Sequence, residues 1–488
     1  MDGLRRLSAK GWLTIALAVA LAGCGKGSSG ASGGGTKHTK PSTSSTTPKD
    51  TRTVQRLLAA DGQAGDNFGG ALWYNTFETP IKPVYFATPQ EAAMSSAGTV
   101  AAVGAPGASA NGKKGAGAVY VFALRAGHWI QVAKLMASDA AAYDAFGWSV
   151  AISGDGHELM TGAPYADDGS KGDVGAAYFF RETAGKWAQV AKVRAANAVG
   201  YDSFGWSVGL SRDGTRAIVG ATGHDLGFFK DAGSAYVFSG QAASALWLET
   251  ATLTAKVPTA SGEFGGAVAL SADGSTAVVT ELTHFDSTHT LHSGSTLLFR
   301  SADGWKTSKQ LATFADPNHN SNGDTDAYGV NAVLSDDGTV AAVASPDVNV
   351  GTAGGAGAAY IYSTKGDWQV AADNSTLSLL PSAPKPYLYY GSSVALTADG
   401  SQLFIGVDGA GANDQGAAEL VRFTRGAGGS PIVSARIPIS APNTAKGRFG
   451  TAIALSADGT TAVGTSPWLS VAGGALRGAA YVVPFSAP

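Results

Sequence analysis

Cysteine is almost missing from this sequence: Cys24 is the only one among 488 residues. A single cysteine excludes an intrachain disulfide. Charge is scarce as well, because Asp, Glu, Lys and Arg together make up 15% of the residues and the formal net charge is −3. A pI near 6.2 gives no electrostatic reason to expect a nucleic-acid partner.

Long apolar runs are also lacking near the N-terminus, where residues 11–22 form a mainly apolar stretch. It is too short to span a bilayer, which takes about 20 residues. Arg5, Arg6 and Lys10 precede this stretch, and Leu21-Ala22-Gly23-Cys24 closes it. Residues 1–23 are therefore predicted to be a signal segment outside the fold.

The end of this segment resembles the lipobox of bacterial lipoproteins. The resemblance implies cleavage before Cys24 and a lipid anchor on that residue. The alternative is an ordinary secretory signal with an incidental cysteine. Gly25 follows the cysteine, and the family's sorting rule then implies the outer membrane, in a periplasmic or surface-facing orientation.

Residues 24–51 contain mostly Gly, Ser, Thr, Lys and Pro, a composition that cannot bury a core. We expect a flexible tether with an r.m.s. reach of roughly 30 Å. Glycine is frequent in the rest of the chain too, with 67 residues in all. Glycine at this density suits tight turns and closely packed strands better than long helices.

An internal repeat fills the remainder of the chain. Seven segments align on an aromatic–glycine pair, and the last six are spaced 58 to 64 residues apart. The aromatic residues are Phe68, Phe146, Phe204, Phe264, Tyr328, Tyr390 and Phe449. Each unit holds short runs rich in Val, Ala, Ile, Tyr and Trp, which we interpret as antiparallel strands A to D.

Turn signals separate these strands. The A–B connection is usually Asp-Gly, as at Asp155-Gly156 and Asp213-Gly214, which suits a tight hairpin with φ > 0 at both central residues. Strand D is often opened by a tryptophan. The matching residues in the alignment are Trp129, Trp187, Trp247, Trp305 and Trp368. Four-stranded units at this period are typical of propeller blades.

The repeats resemble the FG-GAP family, whose units form the propeller of integrin α-subunits. Phe146-Gly147 followed by Gly162-Ala163-Pro164 carries the resemblance, and Phe204-Gly205 with Gly220-Ala221 repeats it. The resemblance implies an all-β, seven-bladed propeller over residues 52–488. Unit 7 ends after strand C, so we predict that residues 54–58 supply its strand D and close the ring.

Calcium is the ion that some FG-GAP loops bind, but the A–B loops here lack the required oxygen ligands. Around Asp213-Gly214, for example, Gly209, Ser211 and Ala217 occupy ligand positions. A weak alternative Ca²⁺ site is Asn318, Asn320, Asn322 and Asp326, although Asp326 also has a strand-entry position in the repeat. His284, His289 and His292, with Asp286, form a further weak metal candidate, and we expect no cofactor.

The B–C and D–A loops are longer and more varied than the A–B turns, so their face is the better candidate for binding. In units 2 and 3 it gathers aromatic and acidic residues that suit a protein or glycan partner: Tyr143, Asp144, Tyr165, Asp167, Asp168, Tyr201, Asp202, His224 and Asp225. The alternative is that these loops are simply solvated.

The sequence thus favours a non-enzymatic, membrane-anchored scaffold that binds an envelope or extracellular protein or glycan, as in adhesion. One alternative is a propeller-based glycan hydrolase or lyase, and another is a structural or assembly lipoprotein of the cell envelope. Gly205-Trp206-Ser207-Val208-Gly209 matches the nucleophile-elbow pattern of hydrolases. That motif needs a strand-to-helix turn, whereas here it falls within a predicted strand.

Overall fold

The computed structural model describes residues 54–70, 72–74, 85–87, 90–241, 246–282, 284–285, 291–292, 294–317, 327–411, 414–426, 430–440, 446–471 and 475–486. Contacts divide the chain into two units, Met1–Arg52 and Thr53–Pro488. The first unit, which includes Cys24 and the predicted tether, lies outside the described residues.

The second unit is all-β and contains seven four-stranded antiparallel sheets, as predicted. Its first strand, β1 (Gln55–Leu57), joins the last blade. A two-stranded ladder of β2 (Leu72–Tyr74) and β3 (Tyr85–Ala87) precedes blade 1, between Phe68 and the first strand of that blade.

Blades 1 to 3 follow the chain in simple A–B–C–D order. Blade 1 consists of β4 (Ala92–Met94), β5 (Val100–Ala105), β6 (Ala118–Arg125) and β7 (His128–Leu135). Blade 2 consists of β8 (Val150–Ile152), β9 (Glu158–Ala163), β10 (Ala176–Thr183) and β11 (Lys186–Val193). Blade 3 consists of β12 (Phe204–Leu210), β13 (Arg216–Ala221), β14 (Ser234–Gln241) and β15 (Leu246–Leu253).

Blades 4 to 6 keep the same order, and blade 4 adds a small ladder between its strands B and C. Blade 4 consists of β16 (Val268–Leu270), β17 (Thr276–Glu281), the ladder β18 (His284–Phe285) with β19 (Leu291–His292), β20 (Ser295–Arg300) and β21 (Lys309–Ala315). Blade 5 consists of β22 (Ala332–Leu334), β23 (Val340–Ser345), β24 (Ala358–Thr364), a 3-10 helix (Ala371–Asp373) and β25 (Asn374–Leu379). Blade 6 consists of β26 (Tyr390–Leu396), β27 (Gln402–Val407), β28 (Ala417–Arg425) and β29 (Pro431–Ser440).

Blade 7 combines both ends of the repeat array. It consists of β30 (Ile453–Leu455), β31 (Thr461–Ser466), the ladder β32 (Ser470–Val471) with β33 (Ala475–Leu476), and β34 (Ala479–Pro484). Its fourth strand is β1, which pairs antiparallel with β34 in the register Gln55↔Val482 and Leu57↔Ala480. The predicted closure is confirmed, with a paired strand of three residues.

The core lies between neighbouring blades, because strands B and C are buried on both faces while strand D alternates towards solvent. In five of the seven blades the aromatic residue of the aromatic–glycine pair packs against a strand C tyrosine of the same blade, and in blade 4 Phe264 packs against Phe299. In blade 6 the Tyr390 hydroxyl donates to Glu419 of strand C. The ring centroids of Phe146 and Tyr178 are 5.4 Å apart, and those of Phe449 and Tyr481 are 5.9 Å apart. These contacts explain why an aromatic residue recurs at this point of every repeat.

Two of the five repeat tryptophans do not open strand D. Trp305 and Trp368 lie in the C–D turns of blades 4 and 5, ahead of β21 and β25. Their indole N–H groups donate to the carbonyl oxygens of Gly274 and Gly338, at 2.7 and 2.9 Å. Each tryptophan therefore ties the C–D turn to the A–B turn of its own blade.

Within the part of the chain that the structure describes, no helix is long and apolar enough to cross a membrane.

Candidate functional site

The antiparallel strand order gives the propeller two different faces. The A–B and C–D turns lie together on one face, which we call the turn face. The B–C loops and the D–A connections lie on the opposite face, which we call the loop face. The predicted ligand residues all belong to the loop face.

The turn face is built from one repeated turn. In blade 2 the Ser153 hydroxyl and the His157 backbone N–H both donate to Asp155 Oδ1, at 2.5 and 3.0 Å. Only Gly156 takes a positive φ, of 78°, so the expectation of two such residues per turn is wrong. The geometry is a type I turn followed by a left-handed glycine. Equivalent acidic caps occur in blades 3 to 7, at Asp213, Asp273, Asp337, Asp399 and Asp458.

These carboxylates serve the turns. Burial acts to raise the pKa of Asp155, but the hydrogen bonds from Ser153 and His157 outweigh it and hold that pKa below its ordinary value. The pKa of Asp213 is lowered in the same way, against burial, by bonds from Ser211 and Thr215. The Oδ1 atom of each of these aspartates is thus used within its own hairpin.

A closed ring of seven backbone hydrogen bonds joins the A–B turns around the axis. The N–H of one turn residue in each blade donates to the carbonyl of its counterpart in the next blade, at 2.7 to 3.1 Å. The members in order are Ser96, Gly154, Arg212, Ala272, Asp336, Ala398 and Ala457, and Ala457 donates back to Ser96. This face is therefore occupied by the fold's own bonds.

A cavity of about 170 Å³ lies on the axis and is lined by strand A residues of all seven blades. The lining is made of Ala, Val, Ile, Leu, Met and Gly side chains, and Gln90 supplies the one polar side chain. General acid–base chemistry needs positioned ionisable groups. The lining of this cavity offers none.

On the loop face, backbone hydrogen bonds link neighbouring blades. The backbone N–H groups of Tyr143 and Tyr201 donate to the carbonyls of Lys114 and Gly172 in the preceding blade's B–C loop, both at 2.9 Å. The two tyrosines have φ values of 69° and 70°, which is rare for a bulky residue. Tyr143 is half-buried, whereas Tyr201 is 53% exposed.

Asp144 and Asp202 are placed by the fold inside the protein. Their side chains are 3% and 1% exposed. Their Oδ2 atoms accept the backbone N–H groups of Ala141 and Val199, at 2.7 and 2.8 Å. Asp66 makes the same bond at the entry to blade 1. These aspartates cap the turn that leads into strand A, and their burial removes them from any surface that a partner could touch.

Asp167 and Asp225 also cap backbone. They accept the N–H groups of Asp173 and Asp231, at 3.1 and 2.9 Å, and so close their B–C loops. Asp225 additionally pairs with Lys230 at 2.5 Å. Burial acts to raise the pKa of Asp225, but the Lys230 and Asp231 bonds outweigh it and lower that pKa.

Asp168 and Tyr165 differ in exposure. Asp168 is exposed and pairs with Arg194 at 2.9 Å. Tyr165 is half-buried, and its ring packs edge-on against Trp148 with centroids 5.4 Å apart. Trp148 in turn contacts Trp206 of blade 3, at 5.1 Å. Burial raises the pKa of Tyr165 well above its ordinary value.

His224 is buried, at 6% exposure, and belongs to a network inside blade 3. Its Nδ1 lies 3.2 Å from Asp202 Oδ1, and its Nε2 lies 3.0 Å from the side-chain nitrogen of Asn197. Asn197 accepts the Tyr236 hydroxyl at 3.0 Å. In blades 1 and 2 the same tyrosine position bonds to Asp61 and Asp139.

Sequence reasoning missed the most exposed apolar residue of the loop face. Phe228 is 101% exposed and Phe229 is 43% exposed, at the end of the B–C loop of blade 3. The signal was present in the repeat alignment, because the corresponding loop positions in blade 2 are Ser170 and Lys171.

The weak calcium candidates Asn318, Asn320, Asn322 and Asp326 lie outside the described residues, as does the lipidation candidate Cys24. Asp286 and His289 do too, and of His284 and His292 only the paired backbone is described. Over the described ranges, no group of three or more His, Cys, Asp or Glu side chains is arranged to hold a metal ion.

The FG-GAP repeat family matches residues 129–180 and 187–238. Each matched segment runs from strand D of one blade to strand C of the next. Among solved structures, Kuenenia stuttgartiensis hydrazine synthase matches with a TM-score of 0.50 and 13% identity, over 85% of this chain and 100% of that chain. A candidate 6-phosphogluconolactonase from Bacteroides fragilis matches with a TM-score of 0.45 and 12% identity, over 80% and 95% of the two chains. No curated protein matches the sequence significantly. At these identities the structural likeness concerns the fold alone.

Proposed function

We propose that this FG-GAP β-propeller protein is an exported, lipid-anchored scaffold that binds a protein or glycan partner through its loop face. Propellers of this repeat are consistent with a binding role.

The difference between the two faces carries the proposal. On the turn face, the carboxylates cap their own hairpins and the backbone ring links all seven blades. On the loop face, the connections vary in length and sequence and expose large apolar side chains, including Tyr201, Phe228 and Phe229. Exposed aromatic residues that the fold does not use are typical of recognition surfaces.

The axial cavity supports binding over catalysis. Propeller enzymes need acid, base or metal-ligating groups that converge on one point. Here the axis presents apolar strand A side chains with a single amide, Gln90. Of the ionisable residues expected on the loop face, Asp144 and Asp202 cap backbone and are buried.

The anchor is supported by the sequence around Cys24. Leu21-Ala22-Gly23-Cys24 follows the short apolar stretch of residues 11–22, with Arg5, Arg6 and Lys10 ahead of it.

The experiment is a binding survey with the purified protein on a glycan array and in a pull-down from envelope extract. We expect an enriched protein or glycan, and we expect substitutions on the loop face, such as Tyr201→Ser, to reduce that binding. A matched turn-face substitution, Lys186→Ser, provides the control because Lys186 is exposed at the C–D turn of blade 2. Absence of any enriched partner in both assays, or equal loss with the control, would contradict the proposal.

A further inference from the structure

The B–C loop of blade 3 ends in a tight hairpin that displays two aromatic rings. The backbone groups of Leu226 and Phe229 bond to each other in both directions, at 3.0 and 3.1 Å, and Gly227 takes a φ of 63°. Phe228 is 101% exposed and Phe229 is 43% exposed. We call these two residues the aromatic tip.

The other repeats show that this turn does not require aromatic residues. The same two-way bonding closes the B–C loops of blades 1, 2 and 5, at Ala110–Lys113, Asp168–Lys171 and Val350–Ala353. At the positions of Phe228 and Phe229 those turns carry Gly112-Lys113, Ser170-Lys171 and Thr352-Ala353, which are small or polar. The same backbone geometry therefore forms with residues whose exposure to water costs little free energy. The exposure of two phenyl groups at this turn needs another explanation.

The tip stands on a rigid base. Asp225 accepts the N–H of Asp231 at 2.9 Å and pairs with Lys230 at 2.5 Å, which closes the loop beneath the tip. The D–A connection of blade 4 straps the same loop, because the Ser261 N–H donates to the Lys230 carbonyl at 2.6 Å. A fixed aromatic anchor loses little conformational entropy on binding.

Further apolar side chains are exposed on the connections bonded to this loop. Val257, on the strapping connection of blade 4, is 77% exposed. Val199 and Tyr201, on the D–A connection of blade 3, are 44% and 53% exposed. That connection packs on the same loop, where the Gly223 N–H donates to the Asp202 carbonyl at 3.1 Å. The connections on both sides of this loop therefore expose apolar side chains as well.

The charges around the tip argue against a bilayer as the occupant. Residues 222–233 and 255–263 carry Lys230 and Lys256 against three carboxylates, which gives anionic lipid no net attraction. A projecting pair of rings instead fits a concave apolar pocket, which proteins provide and polar glycan chains do not.

We propose that the aromatic tip is a docking element that inserts into an apolar pocket of a protein partner. The proposal rests on the proposed function for the choice of the loop face, and it narrows the partner from protein or glycan to protein. Residues buried at the centre of an interface carry most of the binding free energy, so both rings should matter strongly.

The first experiment places a photoreactive benzoylphenylalanine at Phe228 of the full chain in intact cells, with the same probe at Ser170 as the matched turn of blade 2. We expect a discrete protein adduct from position 228 that is absent from position 170 and is lost when Phe229→Ser is added. The adduct is identified and the partner purified. Failure to form an adduct at 228, or equal adducts from both positions, overturns the proposal.

The second experiment measures the purified partner's affinity for the double variant Phe228→Ser with Phe229→Lys, which copies the blade 2 turn. We expect affinity to fall at least about tenfold with an unchanged melting temperature. An affinity of the double variant within twofold of wild type, about the noise of the measurement, overturns the proposal that the aromatic tip docks into the partner. So does flotation of the Cys24→Ser chain with phosphatidylethanolamine–phosphatidylglycerol vesicles that the double variant abolishes. If a glycan or protein still binds through other loop-face residues, the tip proposal fails while the scaffold function stands.

Discussion

Gly162 in strand B of blade 2 lies directly against the carbonyl oxygen of Gly205 at the start of blade 3, so that a methyl group at Gly162 would overlap that oxygen. The same relationship joins Gly104 to Gly147, and Gly220 to Gly265. The second glycine of each pair also has a left-handed φ, 93° at Gly205. The glycines of the two halves of the repeat motif are therefore the contact between successive blades, where backbone approaches backbone.

Replacing Gly162 by alanine should destabilise the propeller. The neighbouring atoms are backbone of the next blade, which cannot move aside without disturbing that blade. Overpacking of this kind costs about 1–3 kcal/mol. Chemical denaturation followed by circular dichroism measures the change in the free energy of unfolding.

Gly172→Ala is the control for this substitution. Gly172 lies in the B–C loop of the same blade, and an added methyl there would approach side-chain atoms no closer than 3.8 Å. We expect a change within about 0.5 kcal/mol. Equal effects of the two substitutions would show that the contact between Gly162 and Gly205 does not limit stability.

The ring closure gives a second prediction. Removal of the chain up to residue 62 deletes β1 and leaves the edge of β34 unpaired. We expect a much lower melting temperature or aggregation, because an open strand edge pairs with other chains. A truncated protein that melts at the same temperature as the full chain would contradict closure by β1.

A milder variant tests the same junction without deletion. The Gln55 side chain bridges β1 to blade 1 through bonds to Gly127 and Trp129. Gln55→Ala should lower the free energy of unfolding by about 1 kcal/mol, since these bonds are partly solvated. Arg56→Ala, at the exposed neighbouring position, should leave it nearly unchanged. Thermal melts of both variants and of wild type measure the difference in stability.

A buried acid predicts an unusual pH dependence. Burial raises the pKa of Asp408 to about 6, although Arg448 lies 3.7 Å away and opposes the rise. In the unfolded chain an aspartate has a pKa of about 3.9. Between about pH 4 and pH 6 the folded protein therefore binds more protons at this site than the unfolded chain does, and its stability falls as the pH rises.

The measurement compares wild type with Asp408→Asn by urea denaturation across this range. The variant lacks the titration, so the stability of wild type relative to the variant should decrease from about pH 4 to about pH 6, by on the order of 3 kcal/mol. Parallel profiles of the two proteins would mean that Asp408 stays ionised in the fold.

The sequence predicted those parts of the fold that are marked by the same side chains in every repeat. The seven aromatic–glycine pairs and the missing strand D of unit 7 were sufficient to predict the blade number and the closure, which the pairing of Gln55 with Val482 confirms. The ring through Ser96, Gly154 and Arg212 was not predictable, because bonds between backbone groups leave no residue preference. Asp144 and Asp202 were expected on the surface, although their recurrence two residues before the aromatic position already indicated a structural role.

The aromatic tip could not be predicted from the sequence for a related reason. Two phenylalanines in a loop carry no periodic signal. Their meaning emerges only when the structure shows that three equivalent turns form with Gly-Lys, Ser-Lys and Thr-Ala at these positions. Exposure decides between a loop residue that folds back and one that projects, and the 101% exposure of Phe228 is a property of the folded chain.

The final prediction concerns the anchor. If Cys24 is acylated, Cys24→Ser should move the protein from the membrane fraction to the soluble fraction and abolish incorporation of labelled fatty acid, while leaving the propeller's melting temperature unchanged. Gly25→Asp is a matched variant that keeps the cysteine, and in a cell with two membranes it should shift the protein to the inner membrane without releasing it. Membrane retention of the Cys24→Ser protein would contradict lipid anchoring and would favour the alternative of a plain secretory signal. The loop-face proposal would survive that outcome, because its evidence lies in the blades and not in the segment that precedes them.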